Sequence, residues 1–263
     1  MYIYTNIHGN TVKYRNVLNK DYKNILTCIW VNDNIGLCKI IDKWTSKNYN
    51  VYQKFILMLY IYRECINDKL VYEKDNSKLI FYLDDIIEKM PEINAEHWIS
   101  INDNVDILIQ LPFNFYNKNI SESTTFTINE TNEYFINNCI THIRYKDQIQ
   151  PLSKDDINLL PSNIFNNVAE HLKKIDLQLQ QIVVFKEFNL NLSLFTMLSI
   201  IRFIFNTHRN GFIEFEYAMR RHVRISNFDD ITYKYAHDIA DIYSHELQDQ
   251  KDAIEEAKNK VQQ

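Results

Sequence analysis

The sequence predicts an α+β fold, in which N-terminal β-hairpins pack with helices and a mainly helical C-terminal region follows. Three observations lead there. Aromatic and β-branched runs alternate around short polar turns in residues 2–15, 70–83 and 97–113. Apolar residues recur at helical spacing in the stretches between them and dominate after residue 131. The apolar fraction of 46% supplies enough side chains for a sizeable core.

The elements follow in order. "YIYTNI" and "TVKYR" flank "HGN" and read as a hairpin with His8 at its tip, where a turn role outweighs catalysis. Asn19 is placed to cap a helix carrying Tyr22, Ile25, Leu26 and Ile29. "NIGLCKIIDKW" predicts a second helix, and "YQKFILMLYIYRECI", apolar nearly all round, a buried third. "LVYEKDNSKLIFYL" reads as strand, turn, strand. "HWISINDNVDILIQLPF" reads as a hairpin turning at Asn102–Asn104 and ended by Pro112, which cannot donate to a ladder. These elements form an expected domain over 1–116.

Residues 117–130 are rich in Ser, Thr and Asn and predict a polar loop. The mainly helical region is expected over 131–263. Helical spacing resumes through Tyr134, Phe135, Cys139, Ile140 and Ile143. Two short helices are expected in 152–179, with Ser153 and Ser162 as caps; Ser153 followed by Asp156 forms a capping-box pattern. "QQIVVFKEFNL" suggests a strand. "LSLFTMLSIIRFIFN" predicts a strongly apolar helix from near Ser193. The last 35 residues, from Asp229, predict a long amphipathic helix whose end is almost wholly charged or polar.

Composition excludes several chemistries. Gly9, Gly36 and Gly211 are the only glycines, too few and too scattered for a dinucleotide or P-loop phosphate cradle. No GxSxG elbow and no HExxH pair occurs, since Asp249 stands where the second histidine would be. Cys28, Cys38, Cys65 and Cys139 form no CxxC and sit among apolar neighbours, as small buried hydrophobes of a reducing compartment do. The net charge of −5 opposes general nucleic-acid binding. The N-terminus lacks the pattern of a signal peptide, and the apolar run 195–205 is broken by Arg202, so a soluble chain made in a cytoplasm is expected. No cofactor is expected.

Two clusters could carry function. His237, Asp241 and His245 stand at i, i+4 and i+8, a spacing that can hold a metal; the same three also fit the solvated face of an amphipathic helix. "GFIEFEYAMRRHVRI" gathers Glu214, Glu216, Arg220, Arg221, His222 and Arg224. Written as a helix, it puts Phe212, Phe215, Ala218, Met219 and Val223 on one side and sets Glu216 against Arg220 at i+4. Arg220, Arg221 and Arg224 then become the candidate partner-binding residues, for phosphate or for an acidic protein. The acid pairs Asp84–Asp85, Asp155–Asp156 and Asp229–Asp230 read as helix-end residues.

The N-terminal half resembles the baseplate hub protein family of T-even-type (T4-like) contractile-tailed phages. Four features carry the resemblance, in order over about residues 2–145. They are the Gly9 turn leading into "VKYR" (Val12 to Arg15), the aromatic helix ending at Arg63, the "NDNVDILIQLPF" hairpin through Asp103, Asn104, Val105, Leu111 and Pro112, and the Cys139–Ile140 pair. Asn16 stands where the family usually has proline, and the cysteine pairs of some members are absent, so no metal is carried over. The resemblance implies a non-enzymatic protein that builds the central hub of the tail baseplate. It would act in the host cytoplasm during assembly, staying in the virion or serving as an assembly factor. Its partners would be other hub or tail proteins, with self-association allowed and no membrane or small-molecule substrate. The alternatives are a nucleic-acid binder using Arg220, Arg221 and Arg224, and a metal-dependent enzyme using His237, Asp241 and His245.

Overall fold

The computed structural model describes residues 2–7, 10–45, 49–74, 77–94, 96–115, 128–185, 190–207 and 209–261. Strands β1 (Tyr2–Ile7) and β2 (Asn10–Arg15) form the expected hairpin. Its tip, with His8 and Gly9, lies outside the described residues. Helices α1 (Asn19–Trp30), α2 (Asn34–Trp44) and α3 (Val51–Cys65) follow. Strands β3 (Lys69–Lys74) and β4 (Ser77–Tyr82) pair, and the short α4 (Leu83–Ile87) carries Asp84 and Asp85 in its first turn. Strands β5 (Glu96–Asn102) and β6 (Val105–Gln110) begin a four-stranded antiparallel sheet of order β5-β6-β7-β8.

The second half departs from expectation in several places. Helix α5 spans Ile128–Cys139, so the last three residues of the expected polar loop are helical, while 116–127 lie outside the described residues. At Ile140 the chain turns into strand β7 (Ile140–Tyr145), followed by β8 (Gln148–Pro151). Residues 140–145 are therefore not a continuation of the helix. Pairing with β6, in the register Ile107↔Ile143 and Leu108↔His142, outweighs the helical spacing of the apolar residues.

Ser153 does cap α6 (Lys154–Asn158) in a capping box with Asp156. Helix α7 (Ser162–Gln180) is long rather than short, and Ser162 is its first residue rather than its cap; Pro161 precedes it. One stripe of Ile164, Val168, Leu172, Ile175 and Leu179 is buried along its whole length. Strands β9 (Val183–Phe185) and β10 (Leu190–Asn191) pair before α8 (Met197–Thr207), α9 (Arg209–Ala218) and a π turn at Met219–Val223. A 3-10 turn at Phe228–Asp230 leads to α10 (Tyr233–Val261), which starts later than Asp229 because Thr232, not an aspartate, accepts the Tyr235 N–H.

One apolar core runs from Val12 to Ala236, so residues of both expected regions, 1–116 and 131–263, contribute to it. Helix α3 lies at its centre, with Phe55, Leu57, Leu59 and Ile61 fully buried. Helix α8 packs on α3 through Ile200, Ile201, Ile204 and Phe205, and Tyr62 meets Phe205 edge-on at 5.2 Å. Arg202, which interrupts the apolar run, donates to Asn34 Oδ1 at 2.8 Å and ties α8 to α2. No helix among the described residues is long and apolar enough to cross a membrane. All four cysteines are free, and Cys38, Cys65 and Cys139 are buried; burial pushes the Cys65 thiol up to about 11.

The core contains one fully buried charge. The Lys54 ammonium lies 2.9 Å from the Asp42 carboxylate and donates to the Phe113 carbonyl at 2.6 Å. It thereby fixes α2, α3 and the segment after β6 against each other. Replacing it leaves the Phe113 carbonyl and the part-exposed Asp42 carboxylate without their ammonium partner. Lys54→Ala is expected to lower unfolding stability by about 3 kcal/mol, and Lys54→Met by less because its stem still fills the space; urea denaturation of the two variants measures both effects.

Candidate functional site

The arginine-bearing segment sits where the C-terminal region docks on α1. Asn19 starts that dock. It is not the helix cap, since Leu18 holds that position and Asp21 accepts the Leu18 N–H at 3.0 Å. Instead the Asn19 backbone N–H donates to the Ile231 carbonyl at 2.8 Å, and its side-chain amide donates to the Phe228 carbonyl, also at 2.8 Å. One turn later, Tyr22 inserts between Phe205 and Phe212, with ring centroids 5.6 and 4.6 Å away. Phe212 in turn meets Phe228 and Tyr233, so rings from α1, α8, α9, the 3-10 turn and α10 form one cluster.

An ionic network covers that cluster. Lys23 lies 2.5 Å from Glu216 and also binds Asp229. Arg220 bridges the same two acids, at 2.8 Å each. Asp229 is held below the usual carboxylate range, first by the Lys23 ammonium and then by the Arg220 guanidinium. Lys20 pairs with Asp230 at the exposed rim. Asp229 and Asp230 are therefore ion-pair partners of α1, not caps of α10. The expected Glu216–Arg220 pair is present, and the expected stripe of Phe212, Phe215, Met219 and Val223 lies in or against the core.

The three arginines have separate roles. Arg220 is taken up in holding the segment to α1. Arg221 is exposed and covers the Tyr217 ring at 5.5 Å, with its guanidinium donating to the Tyr217 hydroxyl. Arg224 is exposed and closes the π turn in the left-handed conformation, with φ of 59°. That backbone costs a non-glycine residue about 1 kcal/mol. Arg209 has no local signature in the sequence; its guanidinium lies 4.8 Å over the exposed Trp30 ring at the far end of α9. The pairs Lys23–Glu216 and Trp30–Arg209 show that α1 and α9 run side by side in opposite directions. Only the tertiary pairing brings Trp30 next to Arg209.

The histidine trio is not assembled into a site. His237, Asp241 and His245 are all exposed, as the solvated-face reading expects; His237 also lies flat on Phe215, with ring centroids 4.0 Å apart, and meets Tyr233 edge-on. Among the described residues no group of three or more His, Cys, Asp or Glu is placed to hold a metal ion. An open groove of about 530 Å³ lies beside α7, lined by Phe135, Leu172, Leu177 and Phe195. Its Asp176 accepts the Leu194 N–H at 2.8 Å and the Gln180 amide at 2.7 Å, a structural task that accounts for this carboxylate.

No family model, no curated protein and no solved structure matches this chain.

Burial against Phe215 lowers the His237 pKa, opposed by Asp241 and Asp238. The folded state then favours the neutral ring. Its contribution to stability is full above the unfolded value of about 6.5 and is lost as pH falls through that value towards the lower folded one. His237→Phe keeps the stack and removes the titration. Its midpoint of thermal unfolding is expected to fall less than that of the wild type when the pH is lowered from 7.5 to 5.5.

Proposed function

We propose that the chain is a non-enzymatic phage tail protein that acts in the assembly or structure of the baseplate central hub through protein–protein contacts. The observation that carries this reading is the far half of α10. From Ser244 to Glu255 every residue is exposed, including Leu247 and Ile254, although the helix continues to Val261. These 12 residues of helix, about 18 Å, thus stand clear of the body. A lone helix of that length is marginal in water, and apolar residues along it fit burial against another protein.

The ordered set of motifs over residues 2–145 supplies the choice of hub proteins as the partner class. Catalysis has no comparable support. Among the described residues, the buried polar groups named above are occupied in holding elements together, and Glu216 and Arg220 of the arginine segment are ion-paired with each other, with Lys23 and with Asp229. The nucleic-acid alternative is weakened in the same way, since Arg220 already serves Glu216 and Asp229. On this reading the protein works in the host cytoplasm during tail assembly, either remaining in the baseplate or leaving it.

A chain ending at Tyr243 tests the reading. Co-expressed with the tail genes of its own phage, the full chain is expected to co-purify stoichiometrically with a hub protein. The shortened chain is expected to keep its thermal midpoint within a few degrees and lose that association. A full chain that captures no tail protein, or a shortened one that captures it equally well, contradicts the proposal.

A further inference from the structure

The α1–α9 face carries a row of large side chains that the core does not use. Trp30 is 71% exposed, Val31 64%, Ile213 50% and Tyr217 56%. Arg209, Ile213, Tyr217 and Arg221 follow one another at four-residue intervals from α9 into the π turn, so they line one side of it. Trp30 of α1 meets the Arg209 end at 4.8 Å, and Arg221 covers Tyr217 at the other end. The row spans about 18 Å, or about three turns of a helix.

The charge along this row is mainly positive. Of the acids beside it, Glu216 and Asp229 are ion-paired with Lys23 and Arg220, while Glu214 is exposed. Arg209 and Arg221 are instead stacked on aromatic rings, which leaves their charge uncompensated by any carboxylate bond among the described residues. Arg224, also exposed, adds a third cation beyond Arg221. This occurs on a chain whose formal net charge is −5. Tryptophan, tyrosine and arginine are the residues enriched among those that carry most of the affinity in protein interfaces.

We infer that the Trp30–Arg209–Ile213–Tyr217–Arg221 row is a docking surface for an acidic amphipathic helix of another protein. The partner's apolar side chains would cover Trp30, Ile213 and Tyr217, and its flanking carboxylates would meet Arg209, Arg221 and Arg224. Protein is favoured over nucleic acid for two reasons. The formal net charge of −5 opposes binding of a polyanion. The aliphatic Val31 and Ile213 suit apolar side chains and have no counterpart on a phosphate backbone. The inference rests on the proposed function only in taking the partner to be a protein, and it concerns a surface separate from the far half of α10.

A synthetic peptide of about 18 residues tests it, with leucine at i, i+3, i+4 and i+7 and glutamate on the flanks. A scrambled peptide of the same composition and a single-stranded oligonucleotide serve beside it, and fluorescence anisotropy with the full chain reads all three. The expected result is binding of the patterned peptide that weakens about tenfold in Trp30→Ala and again in Arg221→Glu, corresponding to about 1.4 kcal/mol each. Leu247→Ser, on α10, should leave it unchanged. Both side chains of the row are exposed, so circular dichroism of the variants should match the wild type. The inference is overturned if the patterned peptide binds no better than the scrambled one. It is equally overturned if the two row variants bind as the wild type does, or if the oligonucleotide binds more tightly than the peptide and loses affinity in Arg221→Glu. A chain that binds the peptide but captures no tail protein would refute the hub assignment alone. A chain that captures a hub protein through α10 but ignores the peptide would refute this inference alone.

Discussion

The structure depends on the clamp between α1 and the segment 228–231. Asn19 closes it with two hydrogen bonds to carbonyls of Phe228 and Ile231, more than two hundred residues away in the chain. Both bonds lie in a buried place, where an unmade bond would cost the full desolvation of a carbonyl. Next to them Tyr22 anchors the aromatic cluster, and Lys23 anchors the ion pairs. Three residues within one helical turn thus hold α8, α9, the π turn and the start of α10 against the N-terminal half.

That clamp also determines what is left for binding. Because Lys23 and Arg220 neutralise Glu216 and Asp229, these two acids serve the clamp, and Arg221 and Arg224 face out. Because the packed residues of α10, from Tyr233 to Ala240, lie in its first turns, the helix is exposed from Ser244 to Glu255. The same packing therefore fixes the segment and exposes two surfaces, the aromatic–arginine row and the far half of α10.

Much of this was legible in the sequence, for local reasons. The hairpins, the buried α3, the Ser153 cap and the inward stripe of Phe212, Phe215 and Met219 all follow from periodicity and short-range chemistry. The failures share a different cause. Asn19 looks like a cap because caps are recognised within four residues, whereas its partners lie at 228 and 231. Ile140 and Ile143 look helical because a buried strand and a helix can share the same apolar residues over so short a stretch. The candidate site was half legible: the arginines stood out by density, but their sorting into a structural Arg220 and an outward Arg221 required the position of Asp229. Arg209 and Trp30 carried no signal until α1 and α9 were laid side by side.

The central claim is that α1 joins the two halves into one cooperative unit. Native-state hydrogen exchange measures it directly, through the opening free energies of amides in α1, α3, α8 and α9. The account predicts that the slowest amides of all four helices open together, with the same free energy and the same dependence on denaturant. Exchange of α8 and α9 through a separate opening of lower free energy, while α1 and α3 stay protected, would contradict it.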